Sequence, residues 1–180
     1  MKDVVRPAFE YTVQFVKKYL RGVGYDMGCG SCPLLEPLCL HFDISPQPLA
    51  VEQVGEAFKQ IDVTTYEFPY KVDYIFSSHM VEDLETEEAI VACLRRWCGY
   101  LKYYGNLVLL LPDMQGGRYP TVEEGGNPSH RVNVGRQFIE EVIAPALEEE
   151  GMALVQVDTI PHDKCATIDA VFVKEVPDEA

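Results

Sequence analysis

The spacing of apolar residues changes period several times along the chain. Val5, Phe9, Val13, Val16 and Leu20 recur every three or four positions, which predicts a helix over 3–20 with one buried face. Asp3 is placed to cap it, Pro7 falls in its first turn, where a missing N–H costs little, and Gly22 follows as a stop. Short apolar runs then predict strands at 23–26, 41–44, 61–63 and 72–78. A second helical stripe, Ile90, Leu94, Trp97, Cys98 and Leu101, predicts a helix over 86–101. The uninterrupted apolar run 106–111 suits a parallel strand buried on both faces. Residues 134–150 return to helical spacing through Phe138, Val142, Ala146 and Leu147, with Gly151 closing the segment and Pro145 expected to kink or split it. Runs at 152–160 and 166–174, joined by Pro161-His162-Asp163-Lys164, read as an antiparallel pair. Strands alternating with helices and ending in a hairpin predict an α/β fold, a doubly wound and mostly parallel seven-stranded sheet with an antiparallel C-terminal hairpin.

Composition narrows the picture. A chain of 180 residues, 47% hydrophobic and 24% charged, suits one globular domain. Fifteen basic against 29 acidic residues give a formal net charge of −14. That field repels phosphate backbones and anionic lipid, so neither nucleic acid nor membrane is an expected partner. No apolar run is long enough to span a bilayer, and Met1 to Pro7 does not read as a secretory leader. A cytoplasmic protein, monomer or homodimer, with six reduced cysteines is the expectation.

Sheets of this kind bind ligands at the carboxyl ends of their strands. After the first strand comes Asp26-Met27-Gly28-Cys29-Gly30-Ser31-Cys32, where two glycines let backbone approach a ligand closely. The second strand ends at Asp43, whose carboxylate can accept both hydroxyls of a ribose, and the third at Asp62, a candidate acceptor for an exocyclic amine. Ser77-Ser78-His79 follow the fourth and Asp113 the fifth. Three acids and two glycines on one edge suit a nucleoside carrying positive charge. A pyrophosphate fits poorly, because the position three after Gly30 is Pro33. A nucleotide triphosphatase is disfavoured by the lack of a Gly-Lys-Ser/Thr loop.

At this point the chain resembles the class I S-adenosylmethionine-dependent methyltransferases. Asp26 to Cys32 is similar to the family's Asp-x-Gly-x-Gly-x-Gly motif, with Cys32 at the third glycine. Phe42-Asp43-Ile44-Ser45 resembles its acidic second motif and Ile61-Asp62-Val63 its adenine-side motif. Residues 74–84 resemble the strand that runs into His-x-x-Glu-x-Leu. Leu101-Lys102-Tyr103-Tyr104-Gly105-Asn106-Leu107 resembles a Leu-Lys-Pro-Gly-Gly-x-Leu turn, with Tyr103-Tyr104 in place of Pro-Gly. The motifs stand in order from about residue 20 to the end. The resemblance implies a Rossmann-like sheet and S-adenosylmethionine as cofactor. It also implies roles: Gly28, Cys29 and Gly30 under the methionine moiety, Asp26 near its amino group, Asp43 on the ribose, Ile44 on the adenine face, and Asp62 with Val63 at the adenine edge. Ser78 and His79 would face the methyl-bearing sulfur and the acceptor. The implied activity is methyl transfer to an oxygen or nitrogen of a small molecule. A non-catalytic binding or scaffold protein on the same fold is the alternative.

Other residues admit two readings each. His79 is a candidate general base or a hydrogen-bonding strand end. His130, in the glycine- and proline-rich stretch 113–133 expected to form a lid or acceptor loop, contacts the acceptor or orders the loop. Asp113 lines the pocket or caps the turn after it. Arg118 and Arg131 meet an anionic acceptor or pair with Glu123 and Glu124. Tyr66, Phe68 and Tyr70 form an aromatic wall or pack a strand edge. Cys29, Cys32, Cys39 and His41 have zinc-type spacing, but no second Cys pair supports them, so no metal is expected. The acidic run Glu82 to Glu88 reads as a solvated helix start.

Overall fold

A computed structural model describes residues 2–161 and 166–177. Seven strands form one sheet: β1 (Gly24–Met27), β2 (Cys39–Asp43), β3 (Phe58–Gln60), β4 (Val72–Ser78), β5 (Leu101–Pro112), β6 (Met152–Pro161) and β7 (Ala166–Lys174). Their order is β3-β2-β1-β4-β5-β7-β6. The first five strands are parallel, and β7 is antiparallel to both β5 and β6. The expected α/β architecture with its terminal hairpin is therefore present, although the hairpin connection 162–165 lies outside the described residues.

Alternate residues of the central strands feed two apolar layers, as a side-chain period of two requires. On one face, Leu107, Leu109 and Leu111 of β5 and Ile168, Ala170 and Phe172 of β7 pack against Ile90, Leu94 and Trp97 of α3 (Glu87–Cys98) and Phe138, Ile143 and Leu147 beyond it. On the other, Tyr74, Phe76, Val108 and Leu110 meet Val13 and Val16 of α1 (Lys2–Val16), which tightens into a 3₁₀ turn at Lys17–Tyr19. A further helix, α2 (Pro48–Val54), connects β2 to β3.

Two boundaries differ clearly from expectation, and the segment around Pro145 is split as expected. The third strand stops at Gln60, so Ile61, Asp62 and Val63 form the turn after it. Leu101 opens β5 and does not close the helix. The segment 136–148 is one rod in three pieces, α4 (Arg136–Phe138), a π turn (Ile139–Ile143) and α5 (Ala144–Glu148). Pro145 explains the π turn: it has no N–H and crowds the carbonyl four residues back, and Ala144 N–H reaches the Ile139 carbonyl five residues away.

Near the start of β5 the register with β4 shifts, and Lys102 to Gly105 bulge out of the ladder. Tyr104 there has φ +62° and is 73% exposed. The resembled turn has glycine at this position, and left-handed backbone costs an L-residue roughly 1–2 kcal/mol. Glycine's extra unfolded-state entropy offsets about half of that. Tyr104→Gly is therefore expected to raise stability by about 0.5–1 kcal/mol, measured by urea unfolding.

Candidate functional site

In the strand order, β1 and β4 are the neighbours at which the chain turns from building one half of the sheet to building the other. Sheets with this order bind ligands at the carboxyl ends of such a strand pair, so the residues gathered there form the candidate site. Gly28 leaves β1 with φ +70° and its N–H donates to the Phe42 carbonyl at 2.8 Å. A Cβ on Gly28 would lie 2.3 Å from Met80 Cγ, so the β1 loop and the β4 end are packed together here. Gly30 has φ +54°, and a Cβ built on it meets nothing within 4 Å. The loop is thus held from below and open above.

The loop is held by acids. Asp43 Oδ2 accepts the Gly30 N–H at 2.9 Å and Oδ1 accepts the Ser45 N–H at 2.9 Å. A carboxylate has about four acceptor sites, so Asp43 keeps capacity for a ligand. Ile44, next to it, is 67% exposed, an apolar side chain presented at the rim. Asp26 is different. It is buried, and its Oδ2 accepts the Leu34 N–H at 2.8 Å and lies 3.0 Å from His41 Nδ1. Asp26 and His41 are register partners on β1 and β2, so the pair is a cross-strand contact under the loop. Asp26 therefore braces the loop from within the fold.

Asp62 Oδ1 accepts from the Thr64 N–H and hydroxyl, at 2.9 and 2.6 Å, in the turn after β3. Val63 is buried, and its carbonyl accepts the Trp97 indole N–H at 3.0 Å, which ties the turn to α3. Ser78 is half-buried at the end of β4, while Ser77 donates to the Met27 carbonyl at 2.9 Å. Cys29 is buried under the loop, where burial and then the Asp26 carboxylate push its thiol up; Cys39 is shifted the same way for the same reasons. His41 is turned to Asp26, and among the described residues Cys29, Cys32, Cys39 and His41 do not come together as a ligand set.

His79 and His130 come together, although 51 positions separate them. Between them is Glu82, on a 3₁₀ turn (Val81–Asp83) after β4. His79 Nδ1 lies 3.5 Å, and His130 Nε2 3.6 Å, from Glu82 Oε1. The Tyr119 ring centroid is 6.5 Å from that of His79 and 5.5 Å from that of His130. Arg131 N–H and Val132 N–H both donate to the Glu82 carbonyl, at 2.8 and 3.2 Å. Glu82 is fully buried, which corrects the reading of the whole run Glu82 to Glu88 as a solvated helix start. Only its later members fit that reading: Thr86 caps α3 by accepting the Ala89 N–H, and Glu87 and Glu88 fill the first turn. Sequence reasoning missed Glu82 as a site residue; its spacing three after His79 was the available signal.

The loop 113–133 has no helix or strand, as expected, but it is tied internally. Asp113 Oδ1 accepts the Gly116 N–H at 2.9 Å and so caps the turn. Glu123 accepts from Asn133 and Glu124 from Thr121, so neither takes up Arg118 or Arg131 among the described residues. Phe68 is buried against Tyr25, Phe42 and Tyr100, so the aromatic run packs the strand edge. A cavity of about 470 Å³ lies further along the carboxyl edge, walled by Asp113, Arg118, Arg136, Glu140 and Thr159 among others. None of the predicted donor-binding residues lines it. Backbone geometry and carboxylate placement, and not cavity size, make the carboxyl ends of β1 and β4 the candidate site.

Comparison with solved structures gives the fold a context. The N-methyltransferase NodS from Bradyrhizobium japonicum WM9, in complex with S-adenosyl-L-homocysteine, superposes with a TM-score of 0.72 at 16% identity, over 96% of this chain and 89% of that one. Magnesium protoporphyrin IX methyltransferase from Synechocystis PCC 6803, with bound S-adenosylmethionine, gives 0.66 at 14% identity, over 94% and 79%. The 1,6-didemethyltoxoflavin-N1-methyltransferase from Burkholderia thailandensis, with bound 1,6-didemethyltoxoflavin and S-adenosylhomocysteine, gives 0.69 at 13% identity, over 97% and 80%. The chain has the class I methyltransferase fold. No family model matches it, and no curated protein matches it in sequence.

Proposed function

We propose that the chain transfers a methyl group from S-adenosylmethionine to an oxygen or nitrogen of a small-molecule acceptor in the cytoplasm. The observation that carries this reading is the β1–β2 edge: two glycines in left-handed backbone, the second held by Asp43, with open space above it and Ile44 exposed alongside. That edge fits an adenosyl sulfonium. Asp43 holds the ribose hydroxyls, Ile44 covers one face of the adenine, and Asp62 with the Val63 backbone meets the base edge. Gly28, Cys29 and Gly30 pass beneath the methionine moiety, and Asp26 supports them from below. The net charge of −14 favours a cationic donor over an anionic one.

When bound, the donor supplies a methyl carbon already activated by its sulfonium. The protein is then asked for alignment and exclusion of water more than for bond chemistry. Ser78 and His79 at the end of β4 face the reacting centre, and the loop 113–133 covers it. His79 is placed to accept a proton from an acceptor that must lose one. Similarity to NodS and the toxoflavin enzyme, whose names give N-methyl transfer, supports a small acceptor.

Calorimetric titration with S-adenosylhomocysteine tests the reading. The expected result is one site per chain, followed by methylated product from at least one member of a metabolite panel. Saturable binding without turnover would favour the scaffold alternative, and no binding would overturn the proposal.

A further inference from the structure

A buried carboxylate without hydrogen bonds is costly, and proteins rarely keep one without a partner. Glu82 is such a group: its side chain is 0% exposed, and neither carboxylate oxygen has a hydrogen-bond partner. What faces it are two imidazoles from different elements. His79 is carried by the end of β4, and its backbone N–H is fixed to the Leu110 carbonyl at 2.9 Å. Its backbone is left-handed, with φ +51°, and its Nδ1 lies 3.5 Å from Glu82 Oε1. His130 comes from the loop, is 2% exposed at its side chain, and has an Nδ1 with no partner. Its other charged or titratable neighbours are Asp83 and Arg131, which flank Glu82 and His130 in sequence, and Tyr119. Burial pushes the Asp83 carboxyl up, and the Ser129 hydroxyl lowers it less.

We propose that Glu82 is a positioning residue: one buried carboxylate that takes the Nδ1–H of His79 and the Nε2–H of His130, so that the strand-end imidazole is oriented as a base only while the loop is docked. This rests on the methyl-transfer reading of the site. The 3.5 and 3.6 Å separations are at the outer limit of hydrogen bonding, and such contacts tighten when a ligand closes the site. With Nδ1–H held by Glu82, the lone pair of His79 lies on Nε2, which is 3.5 Å from the Thr167 hydroxyl on β7. The His79 side chain is 37% exposed, so its ring is not sealed inside the fold. As the acceptor heteroatom bonds to the methyl carbon, the carbon–sulfur bond breaks with its electron pair left on sulfur. The acceptor's proton passes to His79 Nε2 and later to water. Glu82 touches no reacting atom; it fixes which imidazole nitrogen is free. The two backbone bonds from Arg131 and Val132 to the Glu82 carbonyl link the same turn to loop docking.

The test needs no acceptor. Nitrogen-15 spectra of histidine-labelled protein, recorded about two pH units above the ordinary imidazole value near 6.5, report which ring nitrogen carries the proton. In the wild-type protein, His79 is expected to be protonated at Nδ1 and His130 at Nε2. Either nitrogen found unprotonated overturns the proposal. In Glu82→Gln, both rings are expected to shift, and His79 to move toward the Nε2–H form. If either ring is unmoved in folded Glu82→Gln, the carboxylate does not bridge them and the proposal fails. Donor titration of the same samples separates this result from the parent reading. Glu82→Gln should leave S-adenosylhomocysteine affinity within about threefold of wild type, whereas loss of the parent reading would appear as no binding in the wild-type protein itself.

Discussion

Asp26→Ala is expected to destabilise the protein by about 2–5 kcal/mol, because it removes the buried acceptor that faces His41 Nδ1 and the Leu34 N–H and leaves both without a partner. His41 is 2% and Asp26 1% exposed at the side chain, and the Leu34 N–H also loses its acceptor. The change acts on the fold first and on ligand binding through it, since the loop 28–34 is braced by this carboxylate. Urea unfolding measures the loss. A double variant, Asp26→Leu with His41→Leu, should recover most of the stability, since replacing a whole buried pair with apolar side chains is often neutral. A loss below 1 kcal/mol in Asp26→Ala would show that the pair does not carry the loop.

Asp43→Ala is expected to separate binding from stability in the opposite way. Asp43 is half-buried, so its solvent-screened bonds to the Gly30 and Ser45 N–H groups contribute about 0.5–1.5 kcal/mol each to stability. Two charge-assisted bonds to ribose hydroxyls at ~1.5–3 kcal/mol each would weaken donor binding at least a hundredfold. Calorimetry with S-adenosylhomocysteine beside urea unfolding reads both quantities. Unchanged affinity would remove Asp43 from the ribose role.

The contrast between these two acids shows where sequence reasoning reaches and where it stops. Both stand at or next to the ends of strands that short apolar runs predicted. Which way each carboxylate turns depends on cross-strand register. Asp26 lies opposite His41 and is drawn into the fold, a pairing that the spacing of either residue along the chain cannot reveal. The β5 run was legible because burial on both faces leaves no polar positions in 107–111. The third strand was placed three residues late because Lys59 and Gln60 are exposed at a sheet edge and leave Phe58 as its single apolar residue. Glu82 was hidden for a related reason. An acidic run beside a helix start looks solvated, and only the docking of a loop some 50 residues on encloses its first member. Tyr104 breaks a local rule openly: a tyrosine in left-handed backbone, where the resembled turn has glycine, is strain that sequence flags without giving its purpose.

The central claim is that the carboxyl edge of β1, β2 and β3 holds an adenosyl sulfonium. A crystal structure grown with S-adenosylhomocysteine tests it most directly. The expected complex has ribose hydroxyls on Asp43, the adenine over Ile44 with its edge at Asp62 and Val63, and the sulfur above Gly28 and Gly30 near His79. Ligand density in the cavity beside Arg118 and Arg136 instead, or an empty site at saturating ligand, would contradict it.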